Sequence, residues 1–530
     1  MRTVLFSFLS LYCAAAGAGP AAKPAKPAPA PVAAPVAAPV AAPAPASAPV
    51  VAAPPAVDAA RLTVVVAPLV TSSDQEYRWL GLAFSQALVT QLLEVKDVNA
   101  LTLRQVASAV RKDNLRTEDL NEEAVAQHLG IQLGGDVVVM GSFTAEWPEV
   151  TVVARIYRVK DKKVEKTIFL NRPIEDYLAL EKELAKAVFE HLGIKSDPAA
   201  VLGTKNLYAI HQATIGFELL NYQSMSPRSE VTLPVGSIKK AKLHFEKALR
   251  LDPQYADAHA GLGQALTFLG DYDNARKEFA MAQSSGFNAQ AVLGKYYADM
   301  RSGRTDDALK GLSEAQKARS GFTHALGTLG DSYNHMGRYR EALSTFKRYK
   351  ALNPNQPWVT MQLGYTKSKL KRFDEAIKDT REAVAMLPES NSFKVELASR
   401  LIDADKLQEA EDVLKKALEK APKHPTMNVR LGYIYVIQGK ADEAIPALER
   451  ALQESQNASD HSRTKQLALY DLSRAMALKK NTPRALTYLE EAVKAGFMDI
   501  DEIEGEEDLD EVRKDPKFQQ IADMIKKPKS

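Results

Sequence analysis

The chain has 530 residues and one cysteine, Cys13. A single thiol excludes an intramolecular disulfide and a cysteine-ligated zinc site. A dominant charge of one sign is missing too. Lys and Arg are interspersed with Asp and Glu, and the net formal charge is +3, so the clustered basic surface that nucleic acid requires is not expected. Past the N-terminus, no apolar run approaches the ~20 residues that a membrane-crossing helix needs. Catalytic signatures are absent as well: no G-x-x-x-x-G-K-S/T phosphate loop, no H-E-x-x-H and no G-x-S-x-G. Gly261 and Gly263 lack the third glycine and the preceding strand of a dinucleotide loop. The nine histidines are scattered, and His324 and His335, eleven apart, read as solvated groove residues rather than metal ligands. The acidic stretch from Asp499 starts like a calcium loop, but Glu504 stands where the tight turn needs glycine. It reads as a solvated charge run. No catalytic residue, cofactor or metal is expected, and the chain reads as a non-enzyme.

What is there begins with a leader. Residues 1–18 combine Arg2, an apolar core at 4–11 and small residues from Ala14, the plan of a secretory signal peptide cleaved after Ala16 or Ala18. Lipidation of Cys13 is an alternative that the preceding Tyr12 opposes, and retention as an anchor is a third. Residues 19–58 are almost all Ala, Pro and Val, with twelve of the 28 prolines, and cannot bury a core. Extended as polyproline II at ~3.1 Å per residue, they form a tether of roughly 120 Å.

Residues 61–172 change character. The β-branched run 62–70 reads as a buried strand, and 77–95 as an amphipathic helix with Leu80, Phe84, Leu88 and Leu92 on one face. A short strand at 101–103, a helix at 118–129 and strands at 136–143, 150–157 and 163–170 complete a small α/β domain with a mixed sheet. Residues 173–205 read as a connecting helix with Leu178, Leu184, Val188 and Leu192 on its apolar side.

From residue 206 to 499 a period takes over. Residues 323–356 and 357–390 align without a gap, matching Leu329-Gly330 with Leu363-Gly364, Ala342 with Ala376 and Pro354 with Pro388. The small position recurs at Ala241, Ala275, Ala308, Ala342, Ala376, Ala410, Ala444 and Ala485, at steps of 34, 33, 34, 34, 34, 34 and 41 residues. Small residues let two helices approach closely, and each proline ends the helix before it. A 34-residue period with this pattern resembles the tetratricopeptide repeat, in about eight helical pairs. The expected fold is multidomain: a small α/β domain, then an all-α solenoid. Residues 500–530 follow as the acidic segment and a C-terminal capping helix at 515–525.

A second resemblance covers the α/β domain. VVVAPL at 64–69, WLGLAFSQALVTQLL at 79–93, HLGIQLGGDVVVMGSF at 128–143 and VTVVARIYRVKDKKV at 150–164 are similar to the amino-terminal domain of TolB and its relatives. That resemblance implies a protein-binding role in the bacterial envelope. The repeat resemblance in turn implies that the first helix of each pair lines a concave groove. Asp331, Asn334, Trp358, Met361, Tyr365, Arg430, Tyr433 and Arg474 fall on or beside it, and Trp, Tyr, Met and Arg are the types that anchor interfaces. No unit has the basic–asparagine pattern that clamps a C-terminal carboxylate in chaperone-binding relatives. The expected function is an exported, envelope-located scaffold that binds protein partners. The alternative is a sensor whose α/β domain takes a small molecule or cell-wall fragment.

Overall fold

The computed structural model describes residues 61–71, 77–95, 98–113, 115–146, 148–196, 203–221, 234–284, 286–455 and 462–526. The leader, Cys13 and the Ala/Pro tether lie outside them. From Asp58 onward the chain forms one compact unit.

Its first layer is a mixed sheet in the order β3-β1-β4-β5-β6. The strands are β1 (Leu62–Val66), β3 (Val98–Ala100), β4 (Val137–Glu146), β5 (Glu149–Arg158) and β6 (Lys163–Pro173), and β2 (Val70–Thr71) pairs with the far end of β4. β1 runs parallel to β3 and β4, whereas β4, β5 and β6 form an antiparallel meander. Alternate side chains face opposite sides, so Val64, Val66, Val137 and Val139 pack with α1 (Trp79–Glu94) and α4 (Tyr177–Leu192). Val65, Val138 and Met140 pack with α2 (Leu103–Lys112) and α3 (Glu123–Leu133) on the other face. The result is a three-layer α/β/α sandwich.

Three local expectations are corrected. The strand placed at 101–103 lies at 98–100, because Thr102 instead opens the unforeseen helix α2 with a capping box to Gln105. The helix expected at 118–129 begins with a single tight turn, Thr117–Asn121, and is regular only from Glu123 to Leu133. Helix α4, expected as a connector, covers the sheet beside α1 through Leu180, Leu184 and Val188.

The second layer is the solenoid, with eight antiparallel pairs of an A and a B helix. They are Leu207–Asn221 with Val235–Leu251 (α5, α6), Ala256–Phe268 with Tyr272–Ser284 (α7, α8), and Ala289–Arg301 with Thr305–Ala318 (α9, α10). Next come Thr323–His335 with Tyr339–Leu352 (α11, α12), Pro357–Lys369 with Phe373–Met386 (α13, α14), and Asn391–Asp403 with Leu407–Lys420 (α15, α16). The last are Pro425–Ile437 with Ala441–Ser455 (α17, α18) and Ser462–Leu478 with Thr482–Lys494 (α19, α20). All eight periodic alanines are buried where A and B cross. A Cβ on Gly330 would lie 2.5 Å from the Phe346 ring, and one on Gly364 would lie 2.3 Å from the Thr380 hydroxyl. Close packing of each pair therefore demands the small residue.

The acidic C-terminal segment is not a solvated run. α21 (Ile500–Gly505), α22 (Asp510–Arg513) and α23 (Pro516–Lys526) bury Ile503, Leu509, Val512, Phe518 and Ile521 against α20. They close the end of the solenoid and hide the apolar edge that an open array would expose.

Candidate functional site

Successive A helices touch, as α7 does α9, α13 does α15, α15 does α17 and α17 does α19. Among the described residues, no two successive B helices meet as closely. The A helices therefore line the inner curve of the array.

The eight residues singled out on that curve divide into different environments. Asp331 on α11 accepts a hydrogen bond from Gln362 Nε2 at 2.7 Å, and burial pushes its carboxyl up to about 7. Asn334, one turn on, is buried and accepts from the Thr366 hydroxyl at 3.0 Å. Trp358 is half-buried, with its ring edge-on to Phe346 (centroids 5.8 Å apart) and tilted against Tyr349 (6.4 Å). Met361 is buried against Ala383 and Phe393. Trp358 and Met361 thus pack between helices instead of standing free in a groove.

Tyr365 differs. It is half-buried, and its ring lies between two cations: the Arg400 guanidinium from the next pair at 5.3 Å and the Lys369 ammonium at 5.5 Å. Burial pushes its hydroxyl up to about 12, so it stays a neutral donor. Arg430 and Tyr433 on α17 are both buried. Arg430 lies among Glu396, Arg400 and Asp471, and burial lowers its pKa. Arg474 stacks 5.9 Å from the Tyr433 ring and is 3 % exposed. Its Nε donates to Asp508 at 2.9 Å and its Nη2 to Glu506 at 2.7 Å.

The expected single exposed stripe is therefore not formed. Asn334, Met361, Arg430, Tyr433 and Arg474 are consumed by packing and by the C-terminal cap, because each A helix also meets the A helix of the next pair. Arg474 in particular binds the acidic segment, which a reading of positions within one unit has no means of placing. What remains partly open on the inner curve centres on the Tyr365 ring, backed by Arg400, which is 3 % exposed and paired with Asp403 at 3.0 Å and Glu396 at 3.7 Å. Arg400 is the residue that sequence reasoning missed. Its only signal was its place directly after the unit position that Tyr365 occupies, one repeat later.

A second surface is also settled by the geometry. The α/β domain lies along the starts of the first five A helices. Trp79 stacks on His211 of α5 at 4.8 Å. Arg319 pairs with Glu94 at 2.6 Å, and the Arg104 guanidinium sits 4.7 Å over Tyr297. The Thr323 hydroxyl donates to Asn99 Oδ1, and Thr102 Oγ1 and His324 Nδ1 are hydrogen-bonded at 3.0 Å. Gln356 Nε2 donates to the Leu133 carbonyl at 3.0 Å. Gly134 has φ +63°, and a Cβ there would lie 2.6 Å from the Gln356 backbone. One apolar cluster runs without a break from Val64 through α1 and α4 to Phe217, Phe245 and Phe279. The sheet domain and the early repeats share one core.

Fold and site together define a repeat solenoid with a sandwich domain fixed to one edge. Residues 235–296, and separately 295–357 and 395–459, match tetratricopeptide repeat families. The solenoid is thus built of tetratricopeptide repeats. Among solved structures, a tetratricopeptide repeat protein from Parabacteroides merdae is similar at 14% identity, covering 51% of this chain and 99% of that one, with a TM-score of 0.40. Yeast Tom70 is similar at 14% identity over 86% of this chain and 85% of its own, with a TM-score of 0.41. A thermophilic TPR protein from Thermus thermophilus is 20% identical over 39% of this chain and 100% of its own, with a TM-score of 0.30. No curated protein matches the chain. Tetratricopeptide repeat proteins generally act as scaffolds for protein interaction. No helix among the described residues is long and apolar enough to cross a membrane.

Proposed function

We propose that this protein is a non-enzymatic adaptor of the cell envelope, holding a protein partner on the inner curve of its later repeats. The observation that carries the reading is Tyr365, a half-buried tyrosine set against Arg400 and Lys369 on a stretch of that curve between the sandwich domain and the C-terminal cap. Tyrosine supplies large contact area at low entropic cost, and Arg400, buried and paired with Asp403 and Glu396, fixes the ring to receive an extended or helical segment. The leader-like residues 1–18, the Ala/Pro tether and the resemblance of the α/β domain to the TolB amino-terminal domain support an exported, envelope-associated location.

Affinity capture from envelope extract of the native host tests this. The full chain is expected to recover partners in stoichiometric amount. Tyr365→Ala is expected to weaken the recovered complex by about 2 kcal/mol, while melting changes little, since a cation–π pair at a partly exposed site contributes only about 0.5–1 kcal/mol. Normal binding by a normally folded Tyr365→Ala would remove this surface from the function. A mature N-terminus at Gly17 or Gly19 in the native protein would support export, and an intact Met1 on cytoplasmic protein would refute it.

A further inference from the structure

Between the sandwich domain and the first three repeats lies a cavity of about 130 Å³. Its walls come from α1, α2 and α4 on one side and from α5, α7 and α9 on the other, so neither domain forms it alone. The walls are mostly apolar and include the aromatic rings of Tyr177, Phe217, Tyr255 and Phe287. Into this lining the fold sets two carboxyls, Glu181 of α4 and Asp257 at the start of α7. They lie close enough for the Asp257 charge to act on Glu181.

Asp257 Oδ1 accepts from Asn288 Nδ2 at 2.8 Å, and the buried Tyr177 hydroxyl near Glu181 has no hydrogen-bond partner among the described residues. Among the described residues, no basic side chain pairs with either carboxyl. Gln91, also in the lining and 6 % exposed, has a side-chain carbonyl with no hydrogen-bond partner, and so does Gln290 opposite it. An unsatisfied buried acceptor costs about 1–3 kcal/mol, and an unpaired buried carboxylate costs more. Burial accordingly pushes the Glu181 carboxyl up to about 7, with the Asp257 charge adding to the rise. The unmet acceptors in this cavity call for a donor, and Arg104, the basic side chain of the lining, is held over the Tyr297 ring at 4.7 Å.

We infer that the interdomain cavity binds a small organic cation, a protonated amine whose ammonium meets Glu181 and Asp257 while its apolar body fills the space among the aromatic rings. The volume suits a body about the size of benzene. Tyr and Phe faces favour a cation beside them, and Gln91 supplies a further acceptor. Because the walls belong to both domains, such a ligand binds only the docked arrangement and tightens it by mass action. The site is independent of whatever the later repeats hold.

The test is titration of the full chain at pH 8 with hexylammonium and with phenethylammonium, followed by calorimetry. Hexan-1-ol serves as the uncharged counterpart and calcium as the cation without an apolar body. Saturable binding of an amine at about millimolar or tighter is expected, with hexan-1-ol and calcium each at least tenfold weaker. Glu181→Gln should weaken amine binding at least tenfold, and Asp257→Asn serves the same purpose should the first variant fold poorly by circular dichroism. Asp374→Asn, on the exposed start of α14, should bind as the parent does. The inference is overturned by no saturable binding of either amine, by equal binding of hexan-1-ol or calcium, or by folded carboxyl variants that bind the amine unchanged.

Discussion

Two aromatic residues seven positions apart on one helix, Trp358 and Tyr365, come out with different roles, although both were legible as groove candidates. Residue type and unit position placed them on helix A. Their partners decide the rest: the rings of Phe346 and Tyr349 of the preceding B helix meet Trp358, whereas the Arg400 and Lys369 cations meet the Tyr365 ring. Trp358→Ala is therefore expected to open a void against those two rings and to destabilise the array by about 3 kcal/mol. Denaturant unfolding with a clearly lower midpoint would show it. An unchanged midpoint would return Trp358 to the exposed surface. Met361, Arg430, Tyr433 and Arg474 were misplaced for the same reason. A 34-residue period shows what one pair needs internally and is silent about side chains that reach into the next pair or into the terminal cap.

At the level of elements, the sequence was most informative where one residue type alone satisfies the geometry. The A–B crossing tolerates no Cβ at Gly364 and little beyond a methyl group at Ala376, so the period stands out at those positions. Ala376→Trp is expected to overpack the crossing and to cost roughly 1–3 kcal/mol or more. Because each repeat contacts its neighbours, hydrogen exchange should lose protection first in α13 and α14 and spread outward. An even loss from α5 to α20, or none, would contradict this register. The sandwich domain was less legible. In residues 98–103, strand-forming and helix-capping residues adjoin, and the T-x-x-Q capping box at Thr102 and Gln105 was the overlooked sign that a helix begins there. Helix α4 showed an amphipathic face, but nothing in its own pattern says which surface that face covers.

For the whole molecule, the finding that sequence could not supply is that the sandwich and the early repeats are one body. Contacts such as Gln356 with Leu133 join residues more than 200 positions apart and follow no local pattern. This junction carries a pH dependence. Burial, with Arg104 nearby, holds the His324 imidazole down to about 3, so the folded form keeps it neutral. A histidine lowered in the fold contributes stability that is present above its ordinary value of about 6.5 and is lost as pH falls below it. Between pH 6.5 and 5 that loss amounts to about 1.6 kcal/mol. Exchange of amides in α2 and α11 should quicken over that interval in the parent and much less in His324→Gln. Equal behaviour of the two would place the acid sensitivity elsewhere.

With the sandwich fixed to the starts of the first five A helices and the cap fixed to the last pair, the inner curve around the later part of α13 and α15 is the stretch proposed for a partner. Hydrogen exchange on the full chain, with and without the partner recovered by affinity capture, tests that claim directly. Added protection on α13 and α15 around Tyr365 and Arg400, with α1 to α4 and the B helices unchanged, is the predicted result. Protection confined to the sandwich domain or to the B helices would contradict it.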